Sequence, residues 1–112
     1  MKIYIAGKIT GDSNYKQKFM RARKFLEKIG HIVISPAVLP EGMTPGDYMK
    51  ICFAMIDVAD AVVFLPDWKD SAGARLEGEY CKYINKKCLY MQESLSENGK
   101  RRIIWVNQES LE

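Results

Sequence analysis

Apolar runs of strand length alternate along the chain with segments whose apolar residues recur at helical spacing, and the two periods set the expected elements. Lys2-Ile3-Tyr4-Ile5-Ala6 is β-branched and aromatic and is closed by Gly7, which predicts a first strand. From about Asn14 to Ile29, Phe19, Ala22, Phe25, Leu26 and Ile29 form an apolar stripe. Lys16, Lys18, Arg21, Arg23, Lys24 and Lys28 fill the remainder, so the segment reads as an amphipathic helix with a solvated basic face. Asp12 or Ser13 is available as its N-cap, and Gly30 ends it. His31 to Pro36 is a second strand stopped by proline. The loop from Ala37 to Gly46 is long enough to shape a site. Thr44 then caps a second helix with Pro45 at its first position, and Tyr48, Ile51, Cys52, Met55, Ile56 and Ala59 make its buried stripe.

Ala61 to Leu65 is almost wholly apolar, as a strand covered on both faces of a parallel sheet should be. A turn at Pro66 to Asp70 leads into a helix expected to run to about Lys87, with Gly73, Leu76, Glu77, Tyr80, Cys81 and Ile84 on one stripe. Lys87 to Met91 is a fourth strand. A turn over Ser94 to Gly99 and a basic cluster, Lys100-Arg101-Arg102, precede a fifth, Ile103 to Val106, at an edge or against a partner. The order βαβαβαββ predicts an α/β fold, a small flavodoxin-like (Rossmann-like) parallel sheet of four to five strands flanked by helices.

Composition changes this picture little. The 112 residues suit a single domain, 1–112, with one core. A net charge of +3 is too mild to imply a nucleic-acid partner, and no aromatics interleave with the basic face of the first helix. No run has the length of a membrane span. The three cysteines lack metal-ligand spacing and a disulfide framework, so reduced thiols, a cytoplasmic location, no metal and no cofactor are expected. His31, the only histidine, lies at the strand end opposite the expected site and is assigned a structural role.

Glu77 is the position that calls for chemistry. It falls on the packed face of its helix, just past the carboxyl end of the third strand, where open α/β sheets place their ligands. The helix N-terminus favours an ionised carboxylate and burial opposes it, so its resting charge is open. The alternative is a glutamate at the edge of the stripe, reaching water beside Lys or Arg. Gly7-Lys8-Ile9-Thr10-Gly11 is either an anion cradle built from backbone N–H groups or a plain tight turn. Trp68 is either a lid that stacks on a base or an anchor at the edge of the core.

Three of these stretches together resemble the nucleoside 2-deoxyribosyltransferase superfamily. They are Ile3-Tyr4-Ile5-Ala6-Gly7 with the loop to Gly11, Ala59-Asp60-Ala61-Val62-Val63, and Ser71-x-Gly73-x-x-x-Glu77. Within it, the chain is most similar to a group of short bacterial and phage-type proteins known only as a domain of unknown function. That group has a similar Leu65-Pro66-x-Trp68 turn, and the resemblance spans roughly residues 2 to 91.

The resemblance implies an N-glycosidase or 2-deoxyribosyltransferase acting on a nucleoside or nucleotide. Glu77 would be the nucleophile, and Tyr4, Gly7, Lys8, Ile9, Gly11, Trp68, Ser71 and Gly73 would bind substrate. Ser71 with Lys8 looks more like the branch that hydrolyses deoxynucleoside 5′-monophosphates. Cys52 stands where the transferases carry an Asp, so the proton donor is unassigned, with Asp57, Asp67 and Asp70 as nearby carboxylates. A nucleotide-binding module that does not cut its ligand is the alternative. The superfamily's habit of assembling also implies a homodimer or higher oligomer, expected here through Met49, Phe53 and Met55 of the second helix.

Overall fold

The computed structural model describes residues 1–95 and 101–107. Strands β1 (Lys2–Ala6), β2 (Ile32–Ile34), β3 (Ala61–Phe64), β4 (Lys87–Leu95) and β5 (Arg101–Asn107) form one sheet in the order β2-β1-β3-β4-β5. The first four are parallel, and β5 pairs antiparallel with β4 at the edge. Helices α1 (Tyr15–Lys28), α2 (Pro45–Val58) and α3 (Ala72–Tyr83) supply the crossovers. The architecture is the expected flavodoxin-like α/β fold. Short 3₁₀ turns at Pro36–Val38 and Trp68–Asp70 break up the loops after β2 and β3. The turn expected at Ser94 to Gly99 falls largely outside the described residues, as does Lys100 of the basic cluster.

Strand alternation sorts the core into two layers. Ile3, Ile5, Val33, Val63 and Leu65 face α1 and meet Phe19, Ala22 and Leu26. Tyr4, Ala6, Val62 and Phe64 face the other way, against Cys52 and Ile56 of α2 and Cys81 of α3. The crossover helices therefore change faces between β1 and β3. In a doubly wound sheet that is the switch point, where the carboxyl ends of neighbouring strands open a crevice.

Five expectations are corrected. α1 begins after Asn14 rather than Asp12 or Ser13, and the Asp12 carboxylate accepts the Asn14 N–H at 2.9 Å. At its far end Ile29 is the C-cap and is 55% exposed, not buried. Gly30 turns the chain away there with φ 96°, and the His31 N–H returns to the Leu26 carbonyl.

α3 stops at Tyr83 rather than near Lys87. Asn85 takes φ 59°, and the Asn85 and Lys86 N–H groups bond back to the carbonyls of Lys82 and Cys81. This is the left-handed helix ending for which Asn substitutes for Gly. The buried face of α3 is also turned from the expected stripe. It consists of Ala74, Glu77, Gly78 and Cys81, while Leu76 is 49% exposed and Ile84 is exposed as well. Size decides this. A Cβ on Gly78 would sit 3.7 Å from both Phe64 and Trp68, so the small residues bring α3 close to the sheet.

Met49 and Phe53 do not point into open surface. Phe53 stacks on Tyr80 of α3 with centroids 4.3 Å apart, and the Met49 methyl lies against Gly73. Both side chains are half-buried between α2 and α3.

Candidate functional site

Tyr4 is the third residue of β1 and points into the α2/α3 layer, because Ile3 and Ile5 take the opposite face. Glu77 lies in the second turn of α3, one turn before Cys81 on the same buried face. The phenol of Tyr4 donates to Glu77 Oε2 at 2.5 Å. Glu77 is 4% exposed, so the reading in which it reaches water is excluded.

Burial raises the Glu77 pKa from 4.5 to about 7, with the Tyr4 hydrogen bond pulling it partway back. The same burial, with the Glu77 charge next in size, raises the Tyr4 phenol well above its usual range. Cys52 completes the group. Its thiol is within hydrogen-bonding reach of Tyr4, and burial raises its pKa too. A buried carboxyl balanced near neutrality, in a protonated surround of phenol and thiol, is suited to nucleophilic or general-base work.

The loop residues are brought to the same end of the sheet. Gly7 continues β1, and a Cβ there would lie 2.8 Å from Leu65 Cδ1, so glycine is needed for close packing of the two strand ends. Gly11 has φ 82°, a turn conformation that favours glycine. Ile9 turns back to the α1 layer and is not beside Glu77. Ser71 is the N-cap of α3, its Oγ accepting the Ala74 N–H at 3.1 Å. Gly73 faces Met49 across the α2/α3 contact. Trp68 packs on Phe64 and Tyr90, with centroids 5.3 and 5.4 Å away, as the anchor reading expects, and is half-buried.

Two of the three spare carboxylates, Asp57 and Asp67, are engaged elsewhere. Asp57 accepts the Tyr80 phenol at 2.6 Å. Asp67 accepts the Lys8 N–H at 3.2 Å and pairs with Lys18. Lys18 was not evident as a site residue from sequence, since it belongs to the basic set of α1. Its ammonium also reaches Asp12 Oδ2 at 2.5 Å and the Lys8 carbonyl at 2.7 Å. The available signal was spacing, because Lys18 lies three residues after Tyr15 and four before Ala22, on the inward stripe. His31 sits near the amino terminus, with Nδ1 3.1 Å from the Met1 nitrogen, consistent with a structural role.

A separate cavity of about 500 Å³ lies between α1 and the segment after β2, lined by Phe19, Met20, Arg23, Val38 and Leu39 among others. It belongs to the α1 side, and Glu77 is not in its lining. Among the described residues, no group of three or more His, Cys, Asp or Glu side chains could hold a metal ion. No helix among them is long and apolar enough to cross a membrane.

Residues 1–90 match the family described as "Domain of unknown function (DUF4406)". No curated protein matches the chain.

Proposed function

The chain belongs to the DUF4406 family, whose description names no activity, and we propose from its site that it cleaves the N-glycosidic bond of a nucleoside or nucleotide through Glu77. The observation that carries this reading is the buried Glu77 carboxyl, held by Tyr4 and with its pKa raised to about 7, at the switch point of a parallel sheet. The motif resemblance to nucleoside 2-deoxyribosyltransferases, from Tyr4 to Ser71-x-Gly73-x-x-x-Glu77, supplies the reaction class.

In this mechanism Tyr4 holds Oε2 and leaves Oε1 to attack C1′ of the sugar. The new bond joins Oε1 to C1′. The C1′–N bond breaks, its electron pair goes to the base, and the base takes up a proton from water, which the attacking water or second base later replaces by releasing its own. Water or a second base then attacks C1′ and displaces the Glu77 carboxylate. A carboxyl with a pKa near 7 is about half ionised at neutral pH and gains nucleophilicity as it sheds water. Denaturing mass spectrometry of the acid-quenched protein after incubation with 2′-deoxynucleosides tests this. A 2-deoxyribosyl adduct on the peptide containing Glu77 supports the covalent step, and base release without any adduct counts against it.

One observation favours a second reading, a binding module that holds its ligand without cutting it. Tyr4 bonds Glu77 and Cys52 lies against Tyr4, phenol and thiol both weak acids made weaker by burial, while Asp57 and Asp67 are tied to Tyr80 and Lys18. A proton donor for the leaving base is then the missing part. This reading predicts a thermal shift with nucleosides and no free base over hours. A homodimer remains part of either reading by resemblance, and sedimentation at micromolar concentration checks it.

A further inference from the structure

The loop after β1 has donors that could serve an anion, and the protein already supplies one. The Lys8 N–H donates to Asp67 Oδ1 at 3.2 Å, while Asp67 Oδ2 pairs with the Lys18 ammonium. The remaining Lys18 donors go to Asp12 Oδ2 at 2.5 Å and to the Lys8 carbonyl at 2.7 Å. An ammonium has three N–H bonds, so its donor capacity is filled. Asp67 thus bridges a loop amide and a lysine, which is how an oxyanion sits in a phosphate-binding loop. It arrives from the segment after β3, across the switch point from the loop it occupies.

Charge balance points the same way. Lys18 pairs with both Asp12 and Asp67, and the Lys8 ammonium adds its charge near Asp12, so two cations stand against two anions with no surplus positive charge for a dianion.

We propose that Asp67 is the resident anion of the β1 loop, and that the site therefore takes an uncharged 2′-deoxynucleoside and excludes the 5′-phosphate. The proposal rests on the nucleoside reading of the Glu77 site and narrows it, against the expectation from Ser71 and Lys8 alone. An incoming phosphate would have to displace a fixed carboxylate from both of its donors. It would also meet Asp12 at close range.

Calorimetric titration of the protein with 2′-deoxyadenosine, thymidine, their 5′-monophosphates and inorganic phosphate tests this. The nucleosides bind about tenfold or more tightly than their monophosphates, and phosphate alone gives no heat. In Asp67→Asn the amide oxygen still accepts the Lys8 N–H but the charge is gone, so the preference narrows or reverses. If Asp67→Asn does not fold, Asp12→Asn reads the same ratio, since it also releases charge on Lys18. Tighter binding of the monophosphates by the unaltered protein, or an unchanged ratio in a folded variant, overturns the proposal and leaves the nucleoside reading standing. Failure of every nucleoside and nucleotide to bind removes both.

Discussion

Tyr4 donates its phenol proton to Glu77 Oε2 at 2.5 Å across 73 residues of sequence, joining the first strand to the third helix in the buried layer. This bond is the one force shown lowering the Glu77 pKa against burial. Tyr4→Phe therefore moves that pKa above about 7 and costs about 1–3 kcal/mol of stability, the penalty for a buried polar group that loses its partner. Titration of the Glu77 side-chain carbon by NMR, with thermal unfolding of the same variant, reads both effects.

The raised pKa makes stability depend on pH. Between the unfolded value of 4.5 and about 7, the folded protein binds the Glu77 proton more tightly than the unfolded chain does. The stabilisation this gives is complete below 4.5 and is lost as pH rises through about 7, a span of about 3 kcal/mol. Asp12, Asp60 and Glu41 have lowered pKa values, first through hydrogen bonds from Lys18, the Lys2 N–H and Tyr15, and their loss falls at lower pH. Denaturant melts from pH 5 to 8 should show stability falling in the native protein, with a flatter profile in Glu77→Gln.

Two lysines of α1 separate structure from surface. Lys18 is 18% exposed and ties the loops after β1 and β3, whereas Lys16 and its partner Glu41 are 67% and 72% exposed. Lys18→Met leaves Asp12 and Asp67 without their counter-ion and costs about 1–2 kcal/mol, while Lys16→Met stays within about 0.5 kcal/mol. Parallel thermal melts at low and high salt check the contrast.

Glycines separate in the same way. Gly7→Ala places a methyl 2.8 Å from Leu65, itself buried, and costs about 1–3 kcal/mol through overpacking. Gly46→Ala, in the first turn of α2 and 3.9 Å from the nearest atom, is neutral or stabilising by about 0.4–1 kcal/mol. Urea titration of both variants tests the pair.

The alternation of strand and helix periods is enough to recover the sheet and its crossovers, because β3 is apolar throughout and α1 and α2 carry clear stripes. Glu77 stands out from its position alone, whereas Tyr4 enters only through the family resemblance. Their direct bond is not legible, since no local pattern relates residue 4 to residue 77. The buried face of α3 was misjudged because hydrophobicity favoured Leu76, while close packing selected Ala74 and Gly78. The stop at Asn85 was hidden for a related reason, as a left-handed residue is unmarked unless it is glycine. Lys18 belongs by pattern to the solvated basic face of α1, where lysines usually go. Asp12 nearby and Asp67 from a distant loop together offset its burial, and the second is invisible to local pattern.

Base release from 2′-deoxynucleosides, followed by chromatography for the native protein and for Glu77→Gln, tests the central claim most directly. The account predicts free base with the native protein, with a rate that rises from pH 5 to 8 as Glu77 ionises, and none with a folded Glu77→Gln. Equal release by the two proteins would contradict it.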